Sequence, residues 1–198
     1  MQKNGFPCWT GFLDTGVVVF VQVENQQFLS ETRRITSIIQ EIFRRHRSKL
    51  TFSVGIGPVC ARPVDYPQAY YQAQQAIEIG RRLRASEESA EYAKLGSYAL
   101  LYETSKNPAT EPFVERVLGP ILNYDRKNNS DLIKTLQAYL ENNGNLRQTA
   151  KKTHTHLNTV RYRLARIEEL TRKNLKNAHD FFEFQLAVNL FILSGKTI

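Results

Sequence analysis

The sequence predicts an α+β chain built as a small α/β unit followed by an all-α unit. Three observations lead there. A β-branched run, Val17-Val18-Val19-Phe20-Val21, and a second strand-like segment, Thr51-Phe52-Ser53-Val54-Gly55-Ile56, flank a long amphipathic stretch. The second half lacks such strand-like runs and carries capped segments of helical period. The charge is also split, with twelve Lys and Arg against five acids in residues 125–176 and fifteen against fourteen elsewhere. The formal +8 of the chain therefore sits almost wholly in one helical segment.

In the first half, Phe28, Ile35, Ile38, Ile39, Ile42 and Phe43 recur at helical spacing, with Arg33, Arg34, Glu41 and Arg44 largely opposite. Strand, helix and strand in this order predict that the two strands lie parallel in one sheet. Asp65 or Pro67 opens a second helix whose core-facing stripe is Tyr70, Ala73, Ala76, Ile77 and Leu83, and residues 91–95 are expected to add a short edge strand. Helices should cover one face of this sheet. So small a sheet is marginal alone, so residues upstream of Met1, or another copy of the chain, are expected to complete it.

Several chemistries are disfavoured. Cys8 and Cys60 have no metal-ligand spacing and read as reduced thiols. Gly55-Ile56-Gly57-Pro58 has no following Lys and Ser/Thr pair, and Pro58 lacks a donor that a phosphate would need, so these residues end a strand. Arg81-Arg82-x-Arg84 reads as a solvated helix end. His154-x-His156 has no Cys or acidic partner at ligand spacing and reads as a turn and a cap. The apolar stretch at residues 181–193 is shorter than the roughly 20 residues of a membrane span and carries Glu183, Gln185 and Asn189, so it should be a buried helix. No catalytic residue, cofactor, metal or membrane contact is expected, and the compartment is expected to be the cytoplasm.

Residues 104–112 collect Ser105, Asn107, Pro108, Thr110 and Pro112, which marks a linker. The expected division is 1–104, a linker at 105–112, and a helical domain at 113–198 with its core motif at 131–170. There, Ser130 is the expected N-cap of a helix burying Leu132, Ile133, Leu136, Tyr139 and Leu140. Gly144 suits the left-handed residue that ends it. Asn145 caps the next helix, with Gln148 returning the bond as a capping box. Thr153-His154-Thr155 makes a tight turn, and His156 caps a third helix.

At about 100° per residue, Leu157, Val160, Leu164 and Ile167 form the buried stripe of that third helix. Asn158, Thr159, Tyr162 and Arg166 lie opposite, and Arg161 and Arg163 project to either flank. Two short helices, a tight turn and clustered cations are how a protein reads the major groove of double-stranded DNA. Asn pairs bidentately with adenine and the Thr methyl meets that of thymine, whereas flanking arginines meet phosphates. The expected DNA-binding residues are Thr149, His156, Asn158, Thr159, Arg161, Tyr162, Arg163 and Arg166.

Gly11, Asp14, the run at 17–20, Val54-Gly55-Ile56-Gly57 and Tyr70-Tyr71-Gln72-Ala73-Gln74-Gln75-Ala76 resemble the second half of a GGDEF-like domain, a partial ferredoxin-like palm. Active diguanylate cyclases of that superfamily bind nucleotide and metal with an acidic hairpin. Here the equivalent segment, Trp9 to Asp14, offers only Gly11, Phe12 and Asp14, so the resemblance implies the fold without the catalysis. More specifically, His156-x-Asn158-Thr159-Val160-x-Tyr162-Arg163-Leu164-x-x-Ile167-x-x-Leu170-Thr171, with Gly144-Asn145, Thr149-Ala150, Leu122-x-Tyr124-Asp125 and Gln185-Leu186-Ala187, closely resembles the C-terminal helix-turn-helix of PucR/CdaR-type bacterial regulators. That resemblance implies a sequence-specific transcriptional regulator of catabolic genes, acting as a homodimer. It also implies a small-molecule effector sensed by an N-terminal domain absent from this chain. The competing readings are a cyclase fused to a DNA-binding module and a degenerate nucleotide sensor.

Overall fold

The structure, a computed structural model, describes residues 8–13, 16–22, 28–45, 52–83 and 89–196. Among the described residues the strands and α-helices follow in the order β1 (Cys8–Leu13), β2 (Gly16–Val21), α1 (Phe28–Arg45), β3 (Val54–Ile56), α2 (Tyr66–Arg82), β4 (Ser89–Glu91), α3 (Ser97–Ser105), α4 (Glu111–Asn128), α5 (Leu132–Glu141), α6 (Leu146–Lys152), α7 (Leu157–Thr171) and α8 (Ala178–Leu193). The architecture is α+β, as the sequence predicts, but the strands pair differently from expectation.

β1 and β2 form an antiparallel hairpin with Leu13 opposite Gly16. β3 pairs in parallel with β4, Gly55 opposite Ala90. Among the described residues, β2 and β3 do not share a sheet. The parallel strand-helix-strand unit thus lies one step downstream, with α2 as its crossover. Strand β4 occupies residues 89–91, and a 3-10 turn (Tyr92–Lys94) takes most of the segment expected to be a strand. Phe20 stacks on Tyr66 with ring centroids 4.9 Å apart, which ties the hairpin to the start of α2.

Helix α1 covers the amphipathic stretch expected to be helical, and Ile35, Ile38 and Ile39 are half-buried while Ile42 is exposed. The side chains of Phe28 and Phe43 lie outside the described residues. Helix α2 begins after Asp65, with Pro67 in its first turn where a missing N–H costs nothing. It buries Ala69, Gln75, Ala76 and Ile79. The strand ends before Gly57-Pro58, as expected, and Gly55 in β3 and Gly57 just after it have a further reason. A Cβ on Gly55 would lie 2.1 Å from the Ala73 carbonyl oxygen, and one on Gly57 2.5 Å from that of Ala69. The α2 backbone rests directly on this strand, which only glycine permits.

The segment expected to be a linker, residues 105–112, is an ordered connection. α3 ends at Ser105, a 3-10 turn (Pro108–Thr110) follows, and the Thr110 hydroxyl donates to the Thr104 carbonyl at 2.8 Å. Tyr102 of α3 is buried with Ile79 of α2 and Leu193 of α8, so α3 bridges the two halves. The main core belongs to the helical half. Val117, Leu118 and Ile121 of α4, Leu132 and Leu136 of α5, Val160 and Ile167 of α7 and Phe184 and Ala187 of α8 are almost fully enclosed. The apolar stretch at 181–193 is therefore a buried helix, as its sequence suggests, and no helix among the described residues is long and apolar enough to cross a membrane.

Candidate nucleic-acid interface

The site begins at a cap. Asp125, in the last turn of α4, accepts from Leu132 N and Ile133 N at 2.9 Å each and from the Ser130 hydroxyl. It therefore satisfies the first free donors of α5. Ser130, the expected cap, instead orients that carboxylate. At the other end of α5, Gly144 is left-handed (φ 79°) and its N–H donates to the Tyr139 carbonyl at 2.9 Å.

Asn145 then caps α6, its Oδ1 accepting from Arg147 N at 3.0 Å and Gln148 N at 3.1 Å. The Asn145 N–H donates to the Asn142 carbonyl at 3.0 Å, which fills the place that Gln148 would take in a capping box. The turn into α7 is tight: Thr155 N donates to the Ala150 carbonyl at 3.1 Å, and His154 adopts φ 51°. His156 caps α7 through Nδ1, which accepts from Asn158 N at 3.2 Å. The imidazole thus presents an unprotonated Nδ1 to the helix, an unusual but workable cap.

Along α7, Val160, Leu164 and Ile167 are buried and Leu157 is half-buried, as the helical period requires. Asn158, Thr159, Arg161 and Tyr162 are exposed, with Tyr162 at 67%. The Arg161 guanidinium lies near its own helix, 3.5 Å from Asn158 Oδ1. These four side chains and the His156 imidazole form an open polar surface.

Three expected members of the site lie elsewhere. Thr149 is 0% exposed and its hydroxyl donates to the Asn145 carbonyl of its own helix at 2.8 Å; it is enclosed in the fold and cannot touch DNA directly. Arg163 turns toward α5. Its Nη1 donates to Thr135 Oγ1 at 3.1 Å, its Nη2 lies 3.4 Å from Asp131 Oδ2, and its side chain is only 20% exposed. Arg166 lies 4.8 Å over the Tyr124 ring of α4 and pairs with Glu169. Both arginines fasten α7 to the helices behind it.

Electrostatics follow this geometry. The Lys134 ammonium, aided by Arg163, holds the Asp131 carboxyl below the usual carboxylate range. Past α7, Arg172 is left-handed (φ 56°), and Glu168 accepts from Leu175 N at 2.9 Å. Asp180, lowered chiefly by accepting from Asn174 N at 2.9 Å, and Glu183, lowered by its bond from Lys173, close the turn into α8. Outside α7, Arg147 and Lys151 are exposed and four residues apart on α6, and the third cation of that helix, Lys152, is paired with Glu141. Their signal in the sequence is the clustered positive charge of residues 125–176.

Among the described residues no group of His, Cys, Asp and Glu could hold a metal ion. Of the hairpin segment expected to match a nucleotide loop, Gly11 and Phe12 lie in β1 and Asp14 falls outside the described residues.

A capped helix pair with a tight turn and an exposed polar second helix, set behind a small α/β unit, defines a helix-turn-helix protein. Residues 132–190 match the PucR C-terminal helix-turn-helix domain and residues 1–79 match the GGDEF-like domain. The chain is 28% identical over 96% of its length to the purine catabolism regulatory protein of Bacillus subtilis (strain 168), covering 36% of that protein. It is 27% identical over 72% of its length to a proline-responsive transcriptional activator of the same organism, covering 34% of it. It is 26% identical over 80% of its length to the carbohydrate diacid regulator of Escherichia coli (strain K12), covering 40% of it. The chain thus carries a PucR-type helix-turn-helix domain behind a GGDEF-like domain, is similar to these PucR/CdaR-type regulators, and spans between about a third and two fifths of their length.

Proposed function

We propose that this chain is the DNA-binding part of a transcriptional regulator of catabolic genes, reading the major groove with α7. The observation that carries the reading is the division of α7. One side is buried and pinned by Arg163 and Arg166, and the other offers Asn158, Thr159 and Tyr162 with Arg161 and His156 beside them. Asn158 and Thr159 supply base contacts, and Arg161, with Arg147 and Lys151 of α6, supplies phosphate contacts. One short helix covers only a few base pairs, so the working unit is a homodimer on half-sites about one helical turn apart.

Catalysis is not part of this reading. The GGDEF-like unit serves as a scaffold, and the regulator answers to a small-molecule effector in the cytoplasm. The test is equilibrium binding to a selected duplex and to random duplex across a salt series. Tight binding to the selected duplex, falling linearly with log salt, supports it; equal affinity for both duplexes at every salt concentration contradicts it.

A further inference from the structure

A cleft of about 500 Å³ opens where the C-terminal end of α2 meets α5 and the last turns of α8. Its volume suits a small molecule. Among the described residues four cations line it, Arg81, Arg82, Lys134 and Lys196, against one acid, Glu141. That acid is already engaged, accepting from Gln137 Nε2 at 2.8 Å and from the Lys152 ammonium.

The carboxylates that pair with the four cations stand outside the cleft wall. Glu78 lies 3.6 Å from Arg81 and 3.8 Å from Arg82, Asp131 lies 2.9 Å from Lys134, and Glu111 lies 2.6 Å from Lys196. All three carboxylates are more than two fifths exposed, so these pairs are weak and readily exchanged. Arg82 is the fixed member. Its Nη1 donates to the Leu193 carbonyl and its guanidinium lies 5.1 Å over the Tyr102 ring. Amides from Gln137 and Asn189 add neutral donors to the wall.

The geometry points to this cleft as a binding site for a small multivalent oxyanion, a polycarboxylate or a phosphate compound. The anion meets Arg81 of α2 and Lys134 of α5, so it bridges the α/β unit and the helical unit. Lys134 also shares Asp131 with Arg163, the residue that holds α7 to α5. An anion that draws Lys134 away leaves Asp131 to Arg163 alone, which links the cleft to the exposed helix.

The test is calorimetric titration of the full chain with citrate and, separately, with pyrophosphate at constant ionic strength, without DNA. Its outcome is thereby separate from that of the DNA reading. Saturable binding of at least one probe at one site per chain is expected. Citrate alone binding assigns a carboxylate ligand, and pyrophosphate alone a phosphate. Arg81→Gln and Lys134→Gln, at side chains that are each 61% exposed and so tolerated by the fold, should each raise Kd about tenfold. No saturable heat from either probe, or an unchanged Kd in both variants, overturns the proposal.

Discussion

The Arg163 guanidinium donates to the hydroxyl of Thr135 at 3.1 Å, across the contact between α7 and α5. Thr135 is fully buried, and its hydroxyl donates in turn to the Asp131 carbonyl at 2.8 Å. Arg163 therefore completes a chain of hydrogen bonds that sets how α7 lies on the helical core, while its neighbour Arg161 stays at the surface.

Arg163→Ala should consequently lower stability by about 1–2 kcal/mol, the loss of a charge-assisted bond at a half-buried site. Arg161→Ala should stay within about 0.5 kcal/mol of the parent. Urea unfolding of both variants measures the difference. Equal stability of the two would mean that Arg163 does not anchor the helix.

On DNA the order reverses in kind. Arg161→Ala should weaken binding to every duplex and reduce the salt slope by about one. Asn158→Ala or Thr159→Ala should relax preference at one position, each at a cost of about 1–3 kcal/mol. Affinities on matched and single-mismatch duplexes separate these effects.

Asp125→Ala removes the acceptor of two backbone N–H groups at the start of α5 and should cost about 1–2 kcal/mol. Ser130→Ala removes only a hydroxyl that orients this carboxylate and should cost less. Thermal melting of the pair orders them. A larger loss from Ser130→Ala would restore that residue as the cap.

Acid should loosen the same region. Asp131 is held below its unfolded value, roughly 4, by Lys134 first and Arg163 after it. A carboxyl depressed on folding adds stability that is present above the unfolded value and is lost as pH falls through the folded one. Stability should therefore drop below about pH 4, and Asp131→Asn should flatten that drop. An unchanged acid limb in Asp131→Asn would remove Asp131 from the account.

What the sequence revealed, and what it hid, follows from the range of each interaction. Asn145 and His156 bond to backbone one or two residues inside their helices, and Val160, Leu164 and Ile167 follow a local period, so all five were legible. Arg163 was not, because its partners Thr135 and Asp131 lie 28 and 32 residues away. A wheel places its Cα on a flank but cannot say which neighbour the long side chain reaches. Arg166 was hidden for the same reason, its partner ring belonging to Tyr124 of another helix. Thr149 is polar and sits beside Ala150, and only the tertiary packing around α6 reveals that it is buried. The pairing of β3 with β4 rests on three residues, Ser89 to Glu91, too short to show alternation.

The central claim is that α7 reads bases with Asn158 and Thr159. Selection of duplexes from a random pool, run in parallel with the parent chain and with Asn158→Ala, tests it most directly. The expected result is a recurring half-site in the parent selection, repeated about one helical turn away, with preference at one position lost in the variant. Identical enriched sequences from both proteins, or no enrichment with the parent, would contradict it.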